Sequence, residues 1–384
     1  MAHFHAGTMV APPVARGAHA ASTPLVARAG LWTLIAGHVI AIWGTQWDIQ
    51  WHLTIGRDSF WIAPHVVTYS GVTILVLASF GVLAWTTLRG AGALQPRAIR
   101  VFGVTGTPGY QLAAWGMVLT VAAAPIDDLW HRLFGLDVTL WSPPHLLGLL
   151  GAIVNAAACW LIADETYPPR SGARLTALVL GGALVYGALS FGLLPGIRIG
   201  YVHGGLRFFT YPILAALLAP LPLVVVARLT RLRISPVLVV ATVLALALAG
   251  AAIARLGFAW LQPTSFLAEE IAKDPTSPIA MMYEIARKNG TTPRAGNPGI
   301  MVAALLAALA MVALDARRRP RLAALAFALT LLAGVSLLLA RQPAFSGSLP
   351  SVTAAAAALV LTSLAALLAG TIAWRAVRVE TPSA

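Results

Sequence analysis

Two segments of this chain are near copies of one another, and both are rich in residues that bind metal ions. Residues 47–65 and residues 126–145 align with one inserted residue. Each copy offers one aspartate and two histidines, a set of oxygen and nitrogen donors that suits a transition metal. The positions that the two copies share are Asp48/Asp127, Trp51/Trp130, His52/His131, Gly56/Gly135, Asp58/Asp137, Trp61/Trp141, Pro64/Pro144 and His65/His145.

The spacing of the first copy predicts that its three donors meet. Asp48 and His52 are four residues apart near the end of an apolar run, so both side chains project from one face of a helix. A turn that contains Gly56 and Pro64 then delivers His65 at the start of the next helix. The pattern predicts a helix-turn-helix hairpin with a carboxylate and two imidazoles beside its connecting turn.

The second copy repeats this geometry. Asp127 and His131 come at the end of one predicted helix, and His145 opens the next helix after a pair of prolines. Asp128 is an alternative ligand to Asp127, because it lies three residues before His131 and shares its helical face. The chain is therefore predicted to contain two metal sites of one design.

The donor set alone leaves the metal open. Two histidines and a carboxylate suit copper, zinc or non-haem iron, and the usual order of affinities favours copper. A structural interpretation stands beside this one, in which the acids and imidazoles cap helix ends or pair with Arg57 and Arg132, and the tryptophans line a membrane interface. The recurrence of the pattern at nearly the same spacing favours the metal sites.

The composition indicates an integral membrane protein. Hydrophobic residues make up 59% of the chain and charged residues 10%, with a mean hydropathy of +0.81, whereas soluble domains carry about 25% charged residues. About ten apolar runs are long enough to cross a hydrocarbon core, which predicts an all-α, polytopic bundle in a lipid bilayer. The runs lie near residues 31–50, 66–87, 109–125, 145–163, 175–194, 208–227, 235–260, 299–315, 322–340 and 351–374.

The net charge of +13 comes almost wholly from arginine, and its placement predicts topology. Arginines occur in every second connection between the apolar runs, as the positive-inside rule requires of cytoplasmic loops. We therefore expect both termini in the cytoplasm and both metal sites towards the outer face of a bacterial inner or plasma membrane. Nucleic acid is excluded as a partner, because no basic segment is interleaved with aromatic residues.

Three regions follow from the distribution of polar residues. Residues 1–30 are predicted to form a flexible N-terminal tail, residues 31–165 a four-helix metal-binding region with the two D-x3-H-x12/13-H repeats, and residues 166–384 a six-helix membrane region. Within the last region, residues 262–298 form the longest polar segment, which the topology places outside the membrane. We expect short surface helices in it, near residues 268–273 and 279–288.

Two isolated residues are given structural interpretations. The single cysteine, Cys159, excludes a disulfide framework and a thiolate metal cluster. His38 lies alone in the first apolar run, where a lone helical histidine is usually a hydrogen-bonded packing residue.

The first copy also resembles a known metal site. The run D-x3-H-x12-H of Asp48, His52 and His65, embedded in W-H-x-T-x-x-R-D, resembles the copper-site segment of the C subunit of particulate methane and ammonia monooxygenases. In that family the aspartate and the two histidines bind copper within the membrane. The resemblance covers residues 31–165.

The second copy resembles a second segment of the same subunits. That segment carries an asparagine and two histidines at x3 and x13 spacing, which Asp127, His131 and His145 reproduce with aspartate in place of asparagine. The substitution adds a negative charge, which favours a divalent metal.

The resemblance implies copper-dependent activation of O2 and insertion of oxygen into a strong C–H or N–H bond, in a small apolar substrate such as an alkane or in ammonia. Asp48, His52 and His65 would be the catalytic ligands, and Trp47, Trp51 and Trp61 would line an apolar pocket. The family also works with companion monooxygenase subunits. The residues that the resemblance implies as supports of the two sites are Arg57 paired with Asp58, and Trp51, for the first, and Asp128, Asp137 and Trp130 for the second.

Two functions from other classes remain open. The chain could bind or transport copper or zinc without redox chemistry, although the nearly featureless helices after residue 174 offer no polar pathway for an ion. It could also be an accessory subunit whose metal sites only stabilise its fold.

Overall fold

The computed structural model describes residues 23–57, 59–89, 98–134, 140–294 and 296–377, and these are almost entirely helical. Two short 3₁₀ segments, Gly205–Phe209 and Pro343–Ser348, occur between helices. The helices are α1 Thr23–Thr54, α2 Ala63–Arg89, α3 Pro108–Phe134, α4 Pro143–Thr166, α5 Gly172–His203, α6 Thr210–Leu218, α7 Pro220–Thr230, α8 Ser235–Leu261, α9 Leu267–Lys273, α10 Pro278–Lys288, α11 Pro298–Ala313, α12 Pro320–Ala340 and α13 Val352–Ala376.

The predicted all-α, polytopic membrane bundle is confirmed. Within the described residues, nine helical segments are long and apolar enough to cross a membrane, with α6 and α7 together forming the span Arg207–Thr230. The remaining predicted run, residues 299–315, forms the shorter apolar helix α11, which has 16 residues. At 1.5 Å per residue, α11 is shorter than a hydrocarbon core about 30 Å thick.

The structure changes one boundary of the predicted regions. Helix α1 begins at Thr23, so the last residues of the predicted tail are helical, while residues 1–22 lie outside the described residues. Both short helices expected in the segment 262–298 are confirmed as α9 and α10.

A small β-hairpin between α2 and α3 was not predicted. Strand β1, Ile99–Val101, pairs antiparallel with β2, Val104–Gly106. The two residues between the strands, Phe102 and Gly103, both have positive φ values, of 47° and 82°, which is the backbone that a tight two-residue hairpin needs. The hairpin is tied to α2, because Thr87 Oγ1 accepts a hydrogen bond of 2.8 Å from the Thr105 amide.

The two helical hairpins α1–α2 and α3–α4 cross in the same way. In the first, a Cβ atom on Gly71 would lie 2.7 Å from the carbonyl oxygen of Gly37. In the second, a Cβ atom on Gly151 would lie 2.5 Å from the carbonyl oxygen of Gly116. These residues occupy equivalent positions in the two copies, and only glycine allows the backbones to approach so closely.

The equivalence extends to the far end of the hairpins. A Cβ atom on Gly30 of α1 would lie 2.7 Å from a methyl group of Val82, and a Cβ atom on Gly109 of α3 would lie 2.6 Å from Ile162. Glycine again faces a β-branched residue at matched positions. The repeat that the metal-binding residues reveal in the sequence is therefore a repeat of whole helical hairpins.

Helix α8 packs against α1 through two glycines. The side chains of Gln46 and Trp47 occupy the space where Cβ atoms of Gly250 and Gly257 would lie. Nearby, Trp43 Nε1 donates a hydrogen bond of 3.1 Å to the carbonyl oxygen of Leu246. These contacts join the first four helices to the rest of the bundle.

Two apolar cores lie on either side of α5. The first contains fully buried residues of α1, α3 and α4, among them Leu34, Met117 and Ile162. The second contains residues of α7, α11 and α12, such as Leu223 and Phe327. Helix α5 contributes residues to both cores, so the two halves form one packed bundle.

Candidate metal centre

The structure brings Asp48, His52 and His65 together as predicted. Oδ1 of Asp48 lies 3.6 Å from Nε2 of His52 and 3.1 Å from Nε2 of His65. One donor atom from each residue lies within 4.8 Å of the other two. The three side chains are about one-fifth exposed, so the cluster lies just below the surface of the helical bundle.

Local backbone structure explains why the three side chains converge. Asp48 and His52 lie one turn apart at the end of α1, and His65 is the third residue of α2. Between the helices, Gly56 has a φ of 82°, and a Cβ atom there would lie 2.9 Å from the Cα atom of Leu267. Glycine is required at this turn by its backbone conformation and by its close neighbour.

The cluster has the dimensions of a metal site. Ligand atoms about 2.0–2.2 Å from a metal lie roughly 3–4 Å from one another, and the separations of Oδ1 of Asp48 from the two imidazoles fall in that range. Oδ1 of Asp48 is shielded from solvent, and within the described residues it accepts no hydrogen bond of good geometry. A buried carboxylate oxygen in this state calls for a cation, so the residues fit a metal ion.

An aromatic wall stands beside the first site. Trp47 and Trp51 are buried, and both contact Phe258 of α8, with ring centroids 6.3 and 5.7 Å apart. Trp51 Nε1 also donates a hydrogen bond of 3.0 Å to the carbonyl oxygen of Arg57, which fixes the ring on the turn. Trp61 is 74% exposed, so it lies outside this wall.

Arg57 contacts the polar segment 262–298, called the outer segment after its predicted location, and not the metal ligands. Its guanidinium lies 2.9 Å from Oε2 of Glu269 and 3.5 Å from Oε1 of Glu270, and it stacks on the ring of Phe266 at 3.7 Å. A hydrogen bond from Lys273 lowers the pKa of Glu270, and a smaller effect of Arg57 lowers it further. Asp58, the predicted partner of Arg57, lies outside the described residues.

The outer segment also closes the end of α1. The Phe266 amide donates to the carbonyl oxygen of Ile55 at 2.8 Å, Ser265 Oγ to that of Thr54 at 2.7 Å, and Tyr283 OH to that of Leu53 at 2.7 Å. The last carbonyl groups of a helix have no partner within the helix. The segment 262–288 therefore completes the helix that carries two of the three ligands.

The second site is described in part. Oδ1 of Asp127 lies 3.3 Å from Nε2 of His145, in the arrangement that Asp48 makes with His65. His131 lies on the same helix four residues after Asp127, and its side chain is outside the described part of the structure, as is Asp137. Trp130 is half-buried and packs on Phe134, with ring centroids 4.4 Å apart.

Asp127 and Asp128 take different environments. Asp128 is 62% exposed and forms an ion pair of 2.7 Å with Arg132, one helical turn away. Asp127 is about one-quarter exposed and faces the imidazole of His145. Asp127 is thus the ligand candidate, and Asp128 belongs to the surface.

A buried polar network joins the two hairpins. Nε2 of His38 lies 2.8 Å from Oδ1 of Asn155, and Nδ2 of Asn155 donates to Ser79 Oγ at 3.1 Å and to the carbonyl oxygen of Ala113 at 2.8 Å. The expectation of His38 as a hydrogen-bonded packing residue is confirmed. The role of Asn155 was not predicted, although a lone asparagine in an apolar run is a signal that could have been used.

The chain was compared with known protein families, with curated proteins and with solved structures. No family, curated protein or solved structure matches it.

Proposed function

We propose that this chain is a copper-binding integral membrane protein that acts as a copper-dependent monooxygenase, or as the C-type subunit of one. The observation that carries the proposal is the meeting of Asp48, His52 and His65, whose donor atoms all lie within 4.8 Å of one another. The copper and the oxygen chemistry rest on the resemblance of these residues to the monooxygenase segment. Zinc and non-haem iron suit the same donors.

The residues around the site have distinct tasks in this proposal. Asp48, His52 and His65 would bind the metal, which supplies the one-electron chemistry that activates O2. The negative charge of Asp48 favours a cation at this depth, since a lone buried carboxylate is costly. Trp47, Trp51 and Phe258 form a rigid apolar wall, which would exclude water and admit a small apolar substrate.

The second hairpin is proposed as a second metal site. Asp127 and His145 adopt the contact seen in the first site, and His131 lies at the equivalent helical position. The extra carboxylate, in place of the asparagine of the resembling family, favours a divalent ion. Among the described residues, α8 provides no aromatic wall to this site, because α8 packs against α1.

The orientation of the chain is part of the proposal. Both copies lie at the same end of the bundle, at the turns after α1 and α3, while Arg174, Arg228 and Arg317 lie at the opposite end. Arginine-rich ends face the cytoplasm in most membrane proteins. We therefore propose cytoplasmic termini and outward-facing metal sites. Companion monooxygenase subunits are proposed from the resemblance alone.

Metal analysis of the full chain in lipid nanodiscs tests the proposal. We expect bound copper, with two nitrogen donors per site in the Cu(II) electron paramagnetic resonance spectrum, and loss of the first site in His52→Ala and His65→Ala. Glu284→Gln is the matched control, because Glu284 pairs with Arg287 on the outer segment. Wild-type protein without bound metal would reject the site.

A second measurement separates oxidation from ion handling. The copper-loaded chain, with a chemical electron donor and its companion subunits, should form an O2-dependent product from a small alkane or from ammonia. Copper binding without such a product would instead support the non-redox alternative.

A further inference from the structure

A second charged feature lies at the end of the bundle opposite the metal sites. There the connection α7–α8 meets the connection α11–α12 and the end of α13. Seven arginines and one acidic residue, Asp315, occur in the segments 228–233, R-L-T-R-L-R, and 312–321, V-A-L-D-A-R-R-R-P-R. This arginine cluster, defined by those two segments, has far more positive than negative charge.

Three arginines build the frame of the cluster. Arg228 is 6% exposed, donates to the carbonyl oxygens of Arg317 at 3.3 Å and Val377 at 2.8 Å, and stacks on Trp374 at 3.9 Å. No carboxylate is among these contacts, and Nε of Arg228 is buried without a hydrogen-bond partner within the described residues. Among the described residues, the frame thus contains a buried cation that has no carboxylate partner.

The same frame engages Asp315, the acidic residue of the two segments. Arg317 makes two contacts of 2.7 Å with Asp315, which hold the pKa of that carboxyl at about 2. Arg318 lies 3.8 Å from the same carboxylate and is 83% exposed. Arg233 donates to the carbonyl oxygens that end α11, including Val312 at 2.7 Å. Asp315 is therefore engaged, and the remaining cations face no further carboxylate in the described residues.

The remaining cations surround the first turn of α12. Arg318, Arg319 and Arg321 flank Pro320, and the residue before the helix, Arg319, gives it no side-chain cap. The amino end of a helix carries a partial positive charge and favours anions. Three guanidinium groups at this end add repulsion, which a bound anion would relieve.

Some arginines elsewhere in the described chain have acidic partners. Arg57 pairs with Glu269, and Arg287 pairs with Glu284, both on the outer segment. Arg174, at the same end of the bundle as the arginine cluster, pairs with Asp164 at 2.7 Å. Arg174 therefore satisfies the positive-inside rule while it is paired with Asp164. The rule alone does not require arginines without acidic partners.

We infer that the arginine cluster binds the phosphate of an anionic phospholipid, between the first turn of α12 and the end of α13. The depth is right for a headgroup, because α12 is a membrane span that begins at Pro320. Apolar side chains suited to acyl chains lie beside it, with Leu322 48% and Trp374 45% exposed. Basic clusters between membrane helices recognise such headgroups by charge and hydrogen bonding.

Native mass spectrometry of the full chain in neutral detergent tests the inference with phosphatidylglycerol as the probe. The wild type should bind phosphatidylglycerol and not phosphatidylcholine. The triple variant Arg318→Gln/Arg319→Gln/Arg321→Gln should lose about a hundredfold in affinity, at a factor of roughly five for each arginine. The corresponding triple lysine variant keeps the charge and should retain most of the binding.

Controls keep the outcomes distinct. Arg287→Gln, on the outer segment, should bind the lipid as the wild type does. If the triple glutamine variant does not fold, Arg318→Gln alone alters an exposed side chain and should lose about fivefold. Unchanged lipid affinity in the glutamine variants, or displacement of the lipid by equimolar inorganic phosphate, would overturn the inference. Metal content is expected to be unaffected, so this test is independent of the metal sites.

Discussion

Nε2 of His65 lies 3.1 Å from Oδ1 of Asp48, so the start of α2 contacts the last turns of α1 through two potential ligands. Asp48→Asn keeps the shape of this contact and removes its charge. We expect copper affinity at the first site to fall at least about tenfold, since changes to metal-supporting groups cost 10–100-fold. Competition with a chelator of known affinity measures the change, and unaltered affinity would mean that Asp48 is not a ligand.

The adjacent acids of the second hairpin provide a matched pair of variants. Asp127→Asn should weaken the second metal site, because Asp127 faces His145. Asp128→Asn should leave it unchanged, because Asp128 is exposed and pairs with Arg132. Metal stoichiometry of the two variants checks this prediction, and the reverse result would make Asp128 the ligand.

The hydroxyl of Tyr283 links the outer segment to the metal-binding helix. Tyr283→Phe removes the hydrogen bond to the Leu53 carbonyl and should lower the free energy of unfolding by about 1 kcal/mol. It should also weaken copper binding, because it loosens the turn that follows His52. Tyr167→Phe is the control, since it removes the hydrogen bond that the Tyr167 hydroxyl accepts from Trp32 Nε1 at the other end of the bundle. Equal metal affinity in both variants would contradict the link.

The contact of Gly257 with Trp47 predicts a steric effect. Gly257→Val places methyl groups where the indole lies and should destabilise the bundle by about 1–3 kcal/mol. Gly81→Ala is the control, because a Cβ atom there meets no atom within 4 Å, and it should change stability by less than about 0.5 kcal/mol. Thermal unfolding in detergent compares the two, and similar melting temperatures would show that α8 lies elsewhere.

The pKa of Asp315 gives a stability prediction with a definite sign. Hydrogen bonds from Arg317 lower this pKa from 3.8 to about 2, so the carboxylate stabilises the fold above pH 3.8, and the stabilisation is lost as the pH falls towards 2. Asp315→Asn should cost about 1 kcal/mol at pH 7 after screening by water. The difference between variant and wild type should vanish near pH 2, as unfolding at several pH values can show.

The local geometry of the sites could be predicted from the sequence, because it depends on short-range spacing. Asp48 and His52 are four positions apart on one helix, and the turn between α1 and α2 leads to His65. Helical periodicity and a turn with glycine are therefore enough to predict that the three residues meet. The two short outer helices were predictable for the same reason. The lengths of the apolar runs likewise predict the membrane spans, except that α11 is shorter than the nine helical segments that can cross a membrane.

The contacts between distant segments could not be predicted. Helix α8 consists mainly of alanine, leucine and valine, and its one charged residue, Arg255, is exposed, so the fit of Gly257 against Trp47 has no signal in a single sequence. The pairing of Arg57 with Glu269 was missed because Asp58 is nearer along the chain. The predicted position of Trp61 in the pocket wall also differs from the structure, because the turn directs this residue outward.

The hydrogen-bond network around His38 and Asn155 makes the hairpins α1–α2 and α3–α4 depend on each other. In the register of the repeat, the counterparts of His38 and Asn155 are Met117 and Leu75, which lie in an apolar core. Two identical first hairpins would place the imidazole against leucine, where a polar group without a hydrogen bond is costly. The two hairpins are therefore not interchangeable, and a chimera that contains two copies of either one would not rebuild the bundle.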